Sequence, residues 1–255
     1  MTPSDRSFLL AEMTSVEVGA EIAAGRSTIV VPFGAVEQHG PHLPLDTDAI
    51  LGDRLGLLIA TRLNALCAPT IRIGCSQHHL SFAGTLSFKP ETLHVIVHDL
   101  VDSLATHGFR RIVLLPTHGG NEGPLTSAAA ASKREGVMIF VPSLRVTVEA
   151  LRAAARTGGA TASDSGGHAG ELETSLMLEL APHLVRTSRM VSGYTGPLDD
   201  AATTLFFNEG VAALSANGVI GDPRGSSAAT GRAYVVAFLD AVEAQLPELG
   251  RSLPK

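Results

Sequence analysis

The sequence predicts an α/β fold on a mainly parallel sheet, and three observations predict it. Short apolar runs rich in β-branched residues alternate with longer segments of helical periodicity. An order of strand, helix, strand, helix requires crossover connections, which make the strands parallel. With 45% apolar and 17% charged residues over 255 positions, the chain has material for a sizeable core, and intrinsic disorder is excluded. No linker-like stretch or charge block divides the chain, so residues 1–255 read as one domain.

The elements follow in order. Residues 12–25 have helical spacing and stop at Gly25. The run TIVVPFG, 28–34, is β-branched and apolar and ends at a glycine, which is the pattern of a strand buried on both faces. Ala49 to Leu66 places Ile50, Leu55, Leu57, Leu58, Ala60 and Leu63 at helical spacing and leads to APTIRIG, 68–74, a second strand. Thr92 to His107 is helical, RRIVLLPT is a third strand, Glu122 to Glu135 is an alanine-rich helix and VMIFVP is a fourth strand. Helices are expected at 145–157, from Glu171, near 200–216 and at 226–247, the last of them covering the sheet. The small polar residues of TGGATASDSGG, 157–167, suit a movable flap.

Nineteen Lys and Arg against 25 Asp and Glu give a formal charge of −6, with the signs mixed along the chain, which disfavours nucleic acid and anionic membranes as partners. Cys67 and Cys75 lack the close spacing of zinc ribbons and redox pairs and read as structural thiols. The opening MTPSDRSFLLAEM has neither the basic region nor the apolar run of a signal peptide. No apolar stretch approaches the about 18 residues of a membrane span, so a cytoplasmic protein is expected.

Histidine is the unusual component: ten residues, against no tryptophan. Parallel sheets gather function where strands end, and four polar clusters lie there. PFGAVEQHGPHLPLDTD, Pro32 to Asp48, holds Glu37, His39, His42, Asp46 and Asp48. In an extended segment Glu37 and His39 point to one side, and Pro41 and Pro44 stiffen the return of Asp48. Carboxylate and imidazole together are metal ligands; the competing reading is a solvated turn. PTHGGNEG, 116–123, sets His118 at a strand end with Gly119 and Gly120 open to close approach of a ligand, or is a plain turn capped by Asn121. In SGGHAGELETS, 165–175, His168 and Glu171 are three apart and Glu173 lies on another helical face, so at most one glutamate shares a site with His168. Otherwise Glu171 serves only the helix dipole. GCSQHHLSFAGTLS, 74–87, carries His78 and His79 beside Phe82, Gly84 and Thr85, as a pocket wall, a subunit contact or a hydrogen-bonded loop.

From the residues alone, hydrolysis with one or two divalent metals fits best. The nucleophile elbow G-x-S-x-G, the dinucleotide loop G-x-G-x-x-G and the phosphate loop are all missing.

EQHGPHLPLDTD, FAGT, HGGN and GHAGELETS occur in the same order in the creatininase (creatinine amidohydrolase) family, which residues 29–175 resemble. GVIGDPRGSSAATG resembles that family's closing segment. The resemblance implies a three- or four-layered α/β domain, expected here as three-layer α/β/α. It also implies a homohexamer in many members and a site that opens an amide bond with two divalent metal ions per chain: zinc first, manganese or iron as alternatives. Carried over by motif, Glu37 and His118 bind the first metal, His39 binds the second, Asp48 bridges both, and His168 protonates the leaving nitrogen. Creatininase has a metal-binding glutamate two residues after the strand-end histidine, where this chain has Gly120. Glu171, rather than Glu122, is the expected replacement and shares the catalytic cluster with His168. His78, Thr85, Gly119, Gly120 and Asn121 are expected at the substrate. The HGGN form resembles the branch containing formamidopyrimidine deformylases and the mycofactocin-precursor peptidase, and the tryptophan that closes the creatininase pocket is missing. The expected reaction is hydrolysis of a small cyclic or formyl amide by a metal-activated hydroxide. The alternatives are a peptidase of the mycofactocin-precursor type and a non-catalytic metal-binding scaffold.

Overall fold

Strand β1, Thr28–Phe33, takes partners on both edges. In the computed structural model, which describes residues 8–157 and 166–246, it joins β2, Leu66–Cys67, β3, Arg111–Pro116, and β4, Met138–Phe140, in a parallel sheet of order β2-β1-β3-β4. Ile29 sits opposite Ile112 and Val31 opposite Leu114. The helices are α1, Ser15–Ala23; α2, Thr47–Arg62; α3, Pro90–His107; α4, Glu122–Ala131; α5, Leu144–Thr157; α6, Glu171–Leu180; α7, Asp200–Glu209; α8, Val211–Leu214; and α9, Ala228–Ala244.

Successive strand residues serve opposite faces, so strands covered on both sides are apolar throughout. Val30, Val113 and Leu115 pack with Leu51 and Leu55 of α2, Leu151 of α5, Leu176 of α6 and Tyr234 and Phe238 of α9. Ile29, Val31, Phe33, Ile112 and Leu114 face Leu93, Val97 and Val101 of α3 and Leu125 of α4. The result is the expected α/β/α layering. Each fully buried aliphatic side chain contributes about 1.5–3 kcal/mol. Among the described residues, no helix is long and apolar enough to cross a membrane.

Local chemistry sets the element ends. Thr14 and Glu17 form a capping box on α1, and Pro90 opens α3 at the position where a missing N–H costs nothing. Helix α2 was expected to run to Leu66 but stops at Arg62, because Asn64 turns left-handed (φ 50°) and the Ala65 N–H donates back to Ala60. The second strand was expected at 68–74. Regular pairing is confined to Leu66–Cys67, with a single bridge from Phe33 to Ile71, since Pro69 has no N–H to offer the ladder. The predicted 200–216 helix is split at Gly210 (φ 86°) into α7 and α8. Of the glycine-rich segment read as a flap, residues 158–165 lie outside the described residues; the helix predicted at 226–247 spans Ala228–Ala244, with residue 247 outside the described residues.

Two contacts draw the carboxyl edge together. At Gly34 any Cβ would lie 2.6 Å from the Ala49 Cα, so the exit of β1 passes directly against the start of α2. Thr117, just past β3, donates its hydroxyl to the main-chain carbonyls of Asp48 (2.8 Å) and Phe33 (3.3 Å).

Candidate metal centre

At that edge Glu37, His39, Asp48, His118, His168 and Glu173 converge. Glu37 and His39 come from the loop after β1, Asp48 from the first turn of α2, His118 from the end of β3, His168 from the chain entering α6 and Glu173 from its first turn. All but Glu173 are almost fully buried.

Asp48 joins the two halves. Its Oδ2 is 3.3 Å from His118 Nδ1, which is also 3.3 Å from Glu37 Oε1. Its Oδ1 is 3.3 Å from His39 Nε2, which lies 3.8 Å from Glu173 Oε2. The far nitrogen of each imidazole is tied to a main-chain carbonyl, which can only accept: His39 Nδ1 donates to Glu37 O (3.0 Å), His118 Nε2 to Cys75 O (3.1 Å) and His168 Nε2 to Gln38 O (2.6 Å). Their inward nitrogens, His39 Nε2, His118 Nδ1 and His168 Nδ1, thus have a lone pair to present, the arrangement that orients metal-binding histidines.

Both Glu37 carboxylate oxygens, His39 Nε2 and Asp48 Oδ2 are buried with no hydrogen-bond partner. Buried polar atoms are almost always satisfied, and lone pairs of three imidazoles facing three carboxylates require positive charge between them. A divalent cation, or two, fits this donor set. Protons are the substitute: burial would lower His39, but Asp48, Glu173 and Glu37 outweigh it and push it up to about 9. His118 is raised well above 6.5 against its burial by Glu37 and Asp48. Asp48 is held far below the carboxylate range, with His39 and His118 overcoming its burial. Burial pushes Glu173 up to about 7. Burial, with His39 beside it, holds His168 at about 3 and therefore neutral.

Five of the six predicted metal-site and catalytic residues meet here: Glu37, His39, Asp48, His118 and His168. Glu171 does not. Its Oε1 accepts from Ser175 and its Oε2 from the buried Tyr234 hydroxyl (2.7 Å), so it faces α9 rather than the cluster. Glu173 takes the place expected of it, and its carboxylate also reaches back to the Ala169 N–H (2.5 Å). The signal for this was available: side chains on a first helical turn lean toward the N-terminus, and a glutamate at the third position reaches back over it. At Gly120, a Cβ would lie 2.1 Å from Cys75 O and 2.5 Å from His118 Nε2. A glutamate there is incompatible with the bond that orients His118.

A cavity of about 320 Å³ opens over the cluster, with His78, Gly119 and Gly120 in its wall as expected. Leu144, Val148, Leu151, Leu172, Phe206 and Phe238 form its apolar side. Thr85 and Asn121 were expected at the substrate but serve the scaffold. Thr85 accepts from the Gln38 N–H, and Asn121, fully buried, accepts from Cys75 N and donates to Phe33 O and Gly34 O. Glu122 accepts from Ser143 and from Arg145 N and lies in the cavity wall outside the candidate ligand groups. His42 bonds Thr174 (2.9 Å), and Asp46 pairs with Arg72. Both cysteines are buried thiols, and burial pushes Cys67 up to about 12.

A parallel sheet carrying a carboxylate–imidazole cradle at its carboxyl edge defines a class, the α/β proteins with a candidate metal centre where their strands end. Within that class, the creatinine amidohydrolase family model matches residues 11–246, and the chain belongs to the creatininase family. A mycofactocin precursor peptide peptidase of Mycobacterium ulcerans (strain Agy99) is 37% identical over 225 residues, 84% of this chain and 82% of that one. A creatinine amidohydrolase of Pseudomonas putida is 32% identical over 200 residues, 73% and 76% of the two chains. Two solved creatininase structures, a mutant of Zn-Zn type and a manganese form, each superpose with a TM-score of 0.81. They are 28% and 27% identical and cover 94% of this chain and 99% of theirs.

Proposed function

We propose that the chain is a metal-dependent hydrolase acting on an amide bond of a short peptide with an apolar residue beside the scissile bond. The observation that carries this is the shared Asp48 at the foot of a cavity whose opposite side is aliphatic and aromatic. The mycofactocin precursor peptide peptidases support the peptide alternative over the cyclic or formyl amide that the sequence put first. Two divalent cations, zinc or manganese, would be held by Glu37, His118 and Asp48 on one side and by His39, Asp48 and Glu173 on the other. Cations so placed lower the pKa of a bound water and polarise a carbonyl. His168 is the proton carrier. With Nε2–H fixed on Gln38 O and Nδ1 bare and facing the cluster, it takes a proton at Nδ1 and returns it to the departing nitrogen. The apolar wall orients the substrate side chain and excludes water. The homo-oligomer implied by the family belongs to the same reading and is checked by light scattering.

The test is turnover of a panel by zinc- or manganese-loaded protein, followed by mass spectrometry: short peptides with leucine or glutamate beside the scissile bond, creatinine, and formamides. Burying one aliphatic side chain is worth about 1.5–3 kcal/mol, so leucine peptides should exceed glutamate ones by about 10- to 100-fold in kcat/KM. Faster turnover of creatinine or formamides would overturn the substrate class. Full metal content with no turnover of any substrate would leave the scaffold alternative standing.

A further inference from the structure

A fourth imidazole faces the cluster, and its tautomer is of the opposite sense. His79, 1% exposed, lies in the short turn Gln77–His79 with Nε2 3.3 Å from Glu37 Oε1. Its Nδ1 is 3.0 Å from the Gln38 side-chain amide nitrogen. The orientation of that amide is dictated by its other partners. The Gly40 N–H can only donate, so it faces the Gln38 oxygen (2.9 Å), and the Gly218 carbonyl can only accept, so it faces the nitrogen (3.0 Å). Gly218 has to be glycine for this, because a Cβ there would lie 1.8 Å from the Gln38 oxygen. The second amide hydrogen of Gln38 then points at His79 Nδ1, which must accept it. The imidazole proton is left on Nε2, the nitrogen 3.3 Å from Glu37 Oε1.

We infer that His79 is a positioning residue for the centre: its Nε2–H, kept on that nitrogen by Gln38 and 3.3 Å from Glu37 Oε1, steers the Glu37 carboxylate electrostatically toward the orientation that meets His118 and Asp48. The other three imidazoles turn lone pairs inward; His79 turns a donor inward. It therefore cannot ligate a cation in this tautomer, and the nitrogen it sets 3.3 Å from Glu37 Oε1 is one that carries a hydrogen. This role rests on the metal reading of the cluster, and orienting partners of this kind are worth about 10- to 100-fold in metal affinity.

The experiment has two arms on the full chain. In the first, protein labelled with 15N-histidine and loaded with zinc is examined by long-range 1H–15N correlation, and His79 is expected to carry its proton on Nε2 with Nδ1 bare. In the second, zinc affinity is measured by chelator competition for wild type, His79→Leu and His79→Gln, with circular dichroism as the folding control. His79→Leu should bind about 10- to 100-fold more weakly, and His79→Gln, which keeps an N–H near the same place, should recover most of the loss. A proton on Nδ1, equal affinity in wild type and His79→Leu, or no recovery in His79→Gln would each overturn the inference and leave the metal centre intact. Wild type that binds no zinc would overturn the centre and the inference together. If His79→Leu fails to fold, the wild-type spectrum decides.

Discussion

Replacing Asp48 with asparagine removes one negative charge from both halves of the centre at once. Its two oxygens each stand 3.3 Å from a different inward imidazole nitrogen, one on the His118 side and one on the His39 side, so Asp48 is shared between them. Taking each cation as one effective unit charge about 4 Å from the carboxylate, the lost attraction is about 4 kcal/mol at an effective dielectric constant of roughly 20. At 1.4 kcal/mol per decade that is about 10³-fold in affinity at each position. The fold should survive. The main-chain carbonyl of Asp48 still accepts from Thr117 Oγ1, and the helix loses one favourable charge in its first turn, about 0.3–1 kcal/mol. Metal content per chain after dialysis against a weak chelator, by inductively coupled plasma mass spectrometry, is the assay, with the thermal midpoint measured in parallel. Wild type should retain metal and the variant should not. An asparagine variant that is folded and keeps wild-type metal content would refute the shared-carboxylate reasoning.

Three further outcomes follow from the same geometry. In cation-free protein His39 is raised from 6.5 to about 9, so its stabilising effect is complete below pH 6.5 and fades as pH climbs through about 9; a cation must displace that proton. Zinc affinity by chelator competition should therefore rise between pH 7 and 9, by up to about tenfold per pH unit, and a flat profile would argue against His39 as a ligand. Glu173→Gln should lose metal, whereas Glu171→Ala should keep it and lose about 1–3 kcal/mol of stability, because the Tyr234 hydroxyl is left buried and unpaired; the reverse pattern in metal content would restore Glu171 as the ligand. Gly120→Ala should lower the thermal midpoint by an amount equivalent to about 1–3 kcal/mol, since its Cβ meets Cys75 O, and an unchanged midpoint would sink the steric account of the missing glutamate.

Much of this centre was legible in the sequence because parallel strands buried on both faces read as unbroken apolar runs, and the chain's chemistry collects where those runs stop. Glu37, His39, Asp48, His118 and His168 each follow or close such a run or enter a helix beside it, so adjacency in the sheet brings them together. What was not legible depends on direction rather than position. Glu171 and Glu173 differ by two residues, and only the tilt of side chains on the first turn of α6 decides that one meets His39 and the other Tyr234. Thr85 and Asn121 look like substrate contacts in the chain, but tight turns at the sheet edge leave backbone groups that need partners, and both are spent on them. Pairing beyond Cys67 fails for one missing N–H at Pro69, a local veto that an apolar pattern does not display.

The carbonyls that aim His39, His118 and His168 belong to Glu37, Cys75 and Gln38, and they are main-chain atoms. An anchor made of backbone survives any replacement of the side chain that follows it, so long as the loop keeps its path. Most of the aliphatic and aromatic wall has no such tie, for Leu144, Val148, Leu151, Phe206 and Phe238 are side chains of α5, α7 and α9, which supply no residue to the cluster. The imidazole cradle and the apolar wall of the cavity are thus built in separable parts of the molecule. Exchange of Leu144, Val148 or Phe206 can therefore reshape the cavity while the inward nitrogens stay where they are.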